Sequence, residues 1–479
     1  MVSGSSASGS GVRQRTNLAK HEILTSDSQP TAETDITTGD EESSKQLLCQ
    51  IFGPYLIAGT GMVVAGVVLD TVQHWRVFDE VSELFILVPA LLGLKGNLEM
   101  TLASRMSTQA NIGRLDTRQQ RWKQISGNLA LTQAQALVVA FCASMFASIF
   151  GWLMSAVRSV AMGDATEGDA AQHSYRVAHT LLLCAASMTT AATASFILGS
   201  IMIAVIVLSR KYKVNPDNIA TPVAGSLGDI TTLVILAATS SALNSVKDTH
   251  PLIASVVVAA CLGALPIWIW LSLSNPAVAP IIYNGWTPVL GAMCLSSTGG
   301  LILNTFVGRF PGIAVYNPVI NGIGGNLVAV HSSRLSTWLH ARSAYAPMGT
   351  LPPDAVLKDK SLPSVVRVLG GSDVHARGAR VLWFLVIPGQ CVFVYLIKLV
   401  GHGGAEMSMI FLVVYLSAAL LQVAILLYVS TWLVHVLWLN RQDPDNCSIP
   451  YLTGLGDLVG TALLAACFCV LYLVGCDVA

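Results

Sequence analysis

Beyond about residue 45 the chain alternates between long apolar runs and short polar segments. A helix needs about 20 apolar residues to cross a hydrocarbon core roughly 30 Å thick. About eleven runs meet that length, over residues 47–69, 84–110, 129–154, 178–208, 219–243, 253–273, 286–305, 318–339, 381–400, 409–437 and 449–474. The expected architecture is an all-α polytopic membrane protein. Residues 1–44 are different: Ser, Thr, Gly, Asp and Glu dominate and aromatics are nearly absent. Such a segment cannot bury enough surface to offset its ordering entropy, so a disordered tail is expected there.

Composition agrees, with 53% hydrophobic and 11% charged residues and a mean hydropathy of +0.62, well outside soluble composition. Lys plus Arg (27) balances Asp plus Glu (27), so net charge points neither to nucleic acid nor to an acidic substrate. The ten cysteines fall mostly within apolar runs. They form no disulfide framework or zinc pattern and read as small apolar residues. The N-terminus lacks the basic-then-apolar layout of a cleavable signal peptide, so insertion is expected to rely on the first membrane helix.

The position of the loop charges says more than their number. Arg114, Arg118, Arg121 and Lys123 follow the second run; Arg210, Lys211 and Lys213 follow the fourth; Arg342, Lys358, Lys360, Arg367, Arg377 and Arg380 follow the eighth. All three groups share one side if every run crosses, and the positive-inside bias makes that side cytoplasmic. The expectation is a cytoplasmic N-terminus and an external C-terminus, in the plasma membrane.

Two segments of the chain recur. Pro216-Asp217-Asn218, Pro222 and Gly228-Asp229 are matched by Pro444-Asp445-Asn446, Pro450 and Gly456-Asp457. Pro89, Gly93, Gly96-Asn97 and Ser104-Arg105-Met106-Ser107-Thr108 are matched without a gap by Pro318, Gly322, Gly325-Asn326 and Ser333-Arg334-Leu335-Ser336-Thr337. The offset from Pro89 to Pro318 is 229 residues and that from Pro222 to Pro450 is 228, so both matches belong to one duplication. Each unit holds five runs, and the sixth stands between them. Five crossings end on the face opposite their start, so one linker crossing lets the second unit insert in the same orientation as the first. The units are expected to be parallel, related by an axis along the membrane normal, with a pathway between them. The corresponding boundaries are a tail at 1–44, a first unit at 45–247, a linker helix at 248–277 and a second unit at 278–479.

These paired patterns resemble the MgtE-type magnesium transporter domain in its eukaryotic tandem form, solute carrier family 41. The resemblance covers nearly everything after Ser44. It implies that two five-helix units enclose a cation pathway within one subunit, that Mg²⁺ and other divalent cations are carried across the lipid bilayer, and that no cofactor is needed. It also implies that Asp229 and Asp457, on the fifth helix of each unit, help bind hydrated Mg²⁺. Na⁺-coupled efflux is the implied mode, with an uncoupled Mg²⁺ channel as the alternative. The chain departs from bacterial MgtE in having no room for large cytoplasmic sensory domains in its tail.

The residues support this chemistry on their own terms. An ionised carboxylate in an apolar run is costly and marks a site by default. Mg²⁺ prefers oxygen ligands and gives up water reluctantly, so two carboxylates with a few carbonyls suit a hydrated ion that must also leave. The plainer alternative is a protonated Asp bracing a helix break near Pro222 or Pro450. Asp217 and Asp445 read as helix caps, and Gly93, Gly96, Gly322 and Gly325 as close-packing positions. Asn97 and Asn326 could face the ion or bond across helices. Gly228 and Gly456, beside the aspartates, are candidate pathway positions. Arg105 and Arg334 read as snorkelling anchors. Lys95 and Glu99 are replaced by Gly324 and Val328 in the second unit. They read either as a mutually neutralising i,i+4 pair or, through Glu99, as part of a second-ion site. A rival of another class is an intramembrane aspartyl protease, since Gly454-Leu455-Gly456-Asp457 and Pro89-Ala90-Leu91 mimic its motifs. The first copy reads Ser226-Leu227-Gly228-Asp229, and the Pro-Ala-Leu precedes both aspartates instead of following them, so no enzyme is expected.

Overall fold

A computed structural model describes residues 44–111, 115, 117–162, 169–211, 216–276, 278–343, 346–400 and 408–475. It describes the backbone alone over 44–47, 49–50, 95, 104, 107–111, 155–162, 169–176, 209–211, 216–226, 284, 341 and 445. The expected tail and the loop positions Arg114, Asp164, Lys213 and Gly401 lie outside the described residues, as do the side chains of Lys95, Asp217 and Asp445.

The described residues form helices only: α1 Ser44–Val72, α2 Arg76–Glu80, α3 Leu84–Asn111, α4 Arg118–Met162, α5 Asp169–Lys211, α6 Pro216–Val246, α7 Ile253–Leu273, α8 Ala279–Asn284, α9 Trp286–Val307, α10 Ile313–Ala341, α11 Val365–Gly370, α12 Val374–Leu399, α13 Met409–Leu439 and α14 Pro444–Leu473. Eleven are long and apolar enough to cross a membrane, matching the apolar runs one for one. The short α2, α8 and α11 lie in the connections. Apolar length underestimates the helices themselves. The α4 helix reaches 45 residues because its polar opening, Arg118-Gln119-Gln120-Arg121, consists of good helix formers that prolong it beyond the apolar stretch.

Prolines do not break the helices on which the duplication rests. Pro89, Pro318 and Pro450 lie inside α3, α10 and α14, and α6 runs unbroken through Pro222. A helix break braced by a neutral aspartate is therefore absent at both positions. Each fifth helix starts on a proline, Pro216 or Pro444, whose missing N–H costs nothing in a first turn that lacks intrahelical acceptors. This start corrects the capping role expected for Asp217 and Asp445, which fall inside the first turn. In α14 the residue before the helix is Asp443, whose carboxylate accepts from Asn446 Nδ2 at 3.0 Å and meets His340 Nε2 at 3.1 Å. Arg441 precedes it in the left-handed region at φ 59°. Its N–H bonds Trp438 O while that of Gln442 bonds Leu437 O, the paired pattern that satisfies the last carbonyls of α13 and turns the chain into α14.

The duplication is visible in the packing. Helix α1 lies against α6 and α10, and α9 lies against α14 and α3. The first helix of each unit thus packs on its own fifth helix and on the second helix of the other unit. A Cβ on Gly66 of α1 would overlap the Val315 carbonyl of α10, and one on Gly300 of α9 would overlap the Ile86 carbonyl of α3. Ile86 and Val315 stand at the same 229-residue offset as the prolines, so the two contacts are copies of each other. Small residues let helix backbones meet where lipid offers no hydrophobic drive for association. The linker α7 packs on α4 and α5 and exposes Val256, Ile267 and Trp270.

Two charged groups behave differently from a simple anchor. Arg105 turns inward and donates from Nε to Asn128 Oδ1 of α4 at 3.0 Å, which corrects its reading as a snorkelling residue. Glu80 on α2 accepts from Lys247 Nζ at 2.6 Å and from Asn244 Nδ2 at 3.1 Å, tying α2 to the end of α6. The hydrogen bond from Lys247, followed by those from Asn244 and Arg76, holds its carboxyl down at about 2.

Candidate functional site

Between the two units lies a cavity of about 650 Å³, counted with its open mouth. Its walls come from matched positions: Pro89 and Pro318, Gly93 and Gly322, Gly96 and Gly325, Asn97 and Asn326, Asp229 and Asp457. The fold therefore brings both aspartates, both asparagines and Gly228 into one space. Gly456 stands beside Gly325 instead of lining it, and its carbonyl accepts from Gln422 Nε2 at 3.0 Å.

The glycines separate into two kinds. A Cβ on Gly93 would stand 2.7 Å from Asp457 Oδ2 and 2.9 Å from Ser296 Oγ, and one on Gly322 would meet the Met62 thioether at 2.5 Å. Gly93 is required for close approach, whereas at Gly322 the neighbour is the flexible end of Met62. Gly96 and Gly325 meet nothing nearer than 3.6 Å and 3.5 Å, so they open the cavity instead of closing a packing contact.

The two carboxylates differ in their neighbours. Asp457 Oδ2 accepts a 2.6 Å hydrogen bond from Ser296 Oγ of α9. Ser296 stands one helical turn before Gly300, and the residue one turn before Gly66 is Met62. Among the described residues none donates a hydrogen bond to Asp229. The asparagines differ as well. Asn97 Oδ1 accepts from Thr453 Oγ1 of α14 at 2.7 Å, a bond between the two units at the cavity wall. Asn97 thus makes a cross-helix bond while also lining the cavity, and Asn326 receives no hydrogen bond from the described residues. Glu99 is 1% exposed and does not line the cavity. Its Oε2 lies 3.2 Å from where a Gly228 Cβ would be, behind the wall instead of in it. Its pairing with Lys95 falls outside the described side chains.

Sequence reasoning missed Ser296, Asn317, Asn321, Thr453 and Met62. Asn317 and Asn321 left a signal, since they are amides in an apolar run whose partners at the 229-residue offset are Val88 and Leu92. Ser296 and Met62 lie on helices outside the two recurring motifs and left none. Chemically, the cavity offers two carboxylates, several amide oxygens and a hydroxyl. Among the described residues no cluster of three or more His, Cys, Asp or Glu forms a cage for a metal.

Comparison with known proteins agrees with the duplication. A family model described as MgtE, divalent cation transporter, matches residues 88–239 and 317–467, once in each unit. The chain is 50% identical over 437 residues to mouse solute carrier family 41 member 2, covering 91% of this chain and 72% of that one. It is 48% identical over 465 residues to the human member 2, covering 96% and 77%, and 46% identical over 432 residues to rat member 3, covering 89% and 88%. These relatives are solute carriers, not enzymes, which removes the protease reading. The chain is an integral membrane protein of the MgtE divalent cation transporter family, in the tandem form of solute carrier family 41.

Proposed function

We propose that this chain carries Mg²⁺ across the membrane through the cavity between its two units, with Asp229 and Asp457 as the charged walls of the ion site. The observation that supports this reading most is the meeting of the two aspartates, from helices 228 residues apart in sequence, in one space whose lining also carries Asn97, Asn317, Asn321 and Asn326. Mg²⁺ keeps several waters when bound. Carboxylates and amide oxygens accept hydrogen bonds from such a shell without stripping it, which permits both entry and release. Asn326 faces the ion, whereas Asn97 holds α3 to α14.

The loop charges support a cytoplasmic N-terminus and an external C-terminus, and the membrane assigned to the chain is the plasma membrane. The unit boundaries at 45–247 and 278–479 follow from the duplication, and one chain supplies the complete pathway. Efflux coupled to Na⁺ is the mode the family relationship favours, and the alternative is an uncoupled channel. The test is Mg²⁺ flux into vesicles reconstituted with wild type, Asp229→Asn or Asp457→Asn, with and without a Na⁺ gradient. Both variants lose flux while incorporating normally. Retained flux in either overturns the carboxylate site, and conductive flux indifferent to Na⁺ overturns coupling.

A further inference from the structure

The two units differ most in the connection that follows their second crossing. Helices α3 and α4 are joined by residues 112–117, whereas α10 and α12 are joined by residues 342–373, which include α11. This longer strap is tied to α13 by aromatic donors. Trp438 Nε1 donates to Thr350 O at 2.8 Å, Trp432 Nε1 to Lys360 O at 3.2 Å, and the Tyr428 hydroxyl to Pro363 O at 2.9 Å. Each donor stands deeper along α13 than the one before. Counted back from Leu439, Trp432 lies about 10 Å and Tyr428 about 16 Å along the helix. The 31 residues of α13 extend about 46 Å. Centred on a hydrocarbon core of roughly 30 Å, such a helix leaves about 8 Å in the headgroup layer at either end. Lys360 to Pro363 are therefore held at the edge of the hydrocarbon, the level at which Trp and Tyr rings gather.

The outward side of the strap suits that level. Val368 of α11 is buried with Val356 and Leu357, whereas Leu362, Val365 and Val366 are 67%, 56% and 77% exposed. Lys358, Lys360 and Arg367 flank these three and are exposed as well. Lys360 Nζ reaches Asn440 Oδ1 at 2.6 Å and Arg367 Nη2 the Ala355 carbonyl at 3.4 Å, neutral partners that leave both charges uncancelled. The acids of the strap are turned to partners of their own. Asp354 accepts from Arg342 Nε at 3.3 Å, Asp359 from the Ser361 N–H at 2.8 Å and Asp373 from the Ala376 N–H at 3.3 Å.

Apolar side chains ringed by basic ones, at the edge of the hydrocarbon, complement anionic headgroups above acyl chains. We propose that residues 358–367 dock on anionic lipid of the cytoplasmic leaflet. Leu362, Val365 and Val366 enter the acyl boundary, and Lys358, Lys360 and Arg367 hold the headgroup phosphates. The leaflet follows from the loop charges, and the ion site plays no part in the inference.

The test places the full-length protein, one copy per nanodisc, in phosphatidylcholine with or without phosphatidylserine. An environment-sensitive fluorescent amino acid replaces Ser364, which is exposed between the three apolar residues. Brominated acyl chains quench it from the lipid side and acrylamide from water. Both leaflets have the same composition, so neither sidedness nor transport affects the result. With phosphatidylserine the brominated chains quench and acrylamide does not, and added KCl weakens the preference. Lys358, exposed and without an ion pair among the described residues, is the first variant. Lys358→Gln lowers the ratio of lipid to acrylamide quenching about fivefold, the factor that one charge near an anionic surface supplies, and Lys358→Arg restores it, which a folding defect would not allow. Leu362→Asp gives acrylamide quenching even with phosphatidylserine present. Acrylamide quenching of the otherwise unaltered protein in both lipids overturns the proposal, because the patch then faces water. Lipid quenching that is equal in both lipids and unmoved by Lys358→Gln also overturns it, because the basic residues then hold no headgroup.

Discussion

Asp229 and Asp457 occupy matching places on matching helices, yet among the described residues only Asp457 receives a hydroxyl, from Ser296 at 2.6 Å. A hydrogen bond to a charged group is worth about 1.5–3 kcal/mol, so this contact orients one carboxylate and leaves the other to answer the ion alone. Ser296→Ala therefore raises the half-saturating Mg²⁺ concentration for flux about tenfold, since 1.4 kcal/mol is a factor of ten, while Ser296→Thr restores it. An unchanged half-saturation in Ser296→Ala reduces Ser296 to packing against Gly93. The aspartates were legible in the sequence because a charge in an apolar run is costly and each occurs at the same point of a repeat. Ser296 was not, because a serine in a membrane helix often bonds only its own backbone, as Ser272 does with Trp268 O at 2.8 Å. Glu99 shows the opposite failure. Its charge drew attention, but its side chain lies against Gly228, while Gly96, Asn97 and Met100 of the same stretch of α3 line the cavity.

Helices α1 and α9 close the two units against each other through single glycines. Gly66 meets the Val315 carbonyl and Gly300 the Ile86 carbonyl so closely that no side chain fits. Because a backbone carbonyl within a helix cannot rotate aside, Gly66→Val and Gly300→Val each separate α1 from α10 or α9 from α3. Both lose folded protein in detergent, measured as monodisperse yield. Gly263→Ala in α7, where nothing lies within 4 Å, is the control. It leaves yield intact and raises stability by roughly 0.5–1 kcal/mol through lower chain entropy. Equal yields for all three variants would mean that the glycine contacts do not hold the units together. The number of crossings was legible at this scale, since length and hydropathy decide it. The partners of α1 and α9 were not: in lipid every face of a helix is apolar, so periodicity does not say which neighbour it meets. The start of α14 was misread for a local reason, since the proline at the first helical position puts Asp445 inside the first turn and Asp443 before it.

Across the whole molecule the two units are interleaved. Asn97 of the first bonds Thr453 of the second at 2.7 Å, and Gly93 of the first lies against Asp457 of the second. The 229- and 228-residue offsets made the two units legible, together with the odd linker that lets them insert alike. The uneven wall, polar at Asn317 and Asn321 and apolar at Val88 and Leu92, emerges only when those positions are placed around one cavity. A pathway enclosed by the units of one chain has a consequence that a pathway between chains does not. Asp229→Asn and Asp457→Asn each leave one carboxylate per chain, so vesicles containing both variants have no chain with a complete site. Co-reconstituting the two gives no more Mg²⁺ flux than either alone, and mixing Asp457→Asn with wild type lowers flux in proportion to the wild-type fraction. If the site were instead built from an aspartate of each of two chains, pairing the intact Asp457 of one variant with the intact Asp229 of the other would restore flux in the mixture, and that recovery would sink the single-chain pathway.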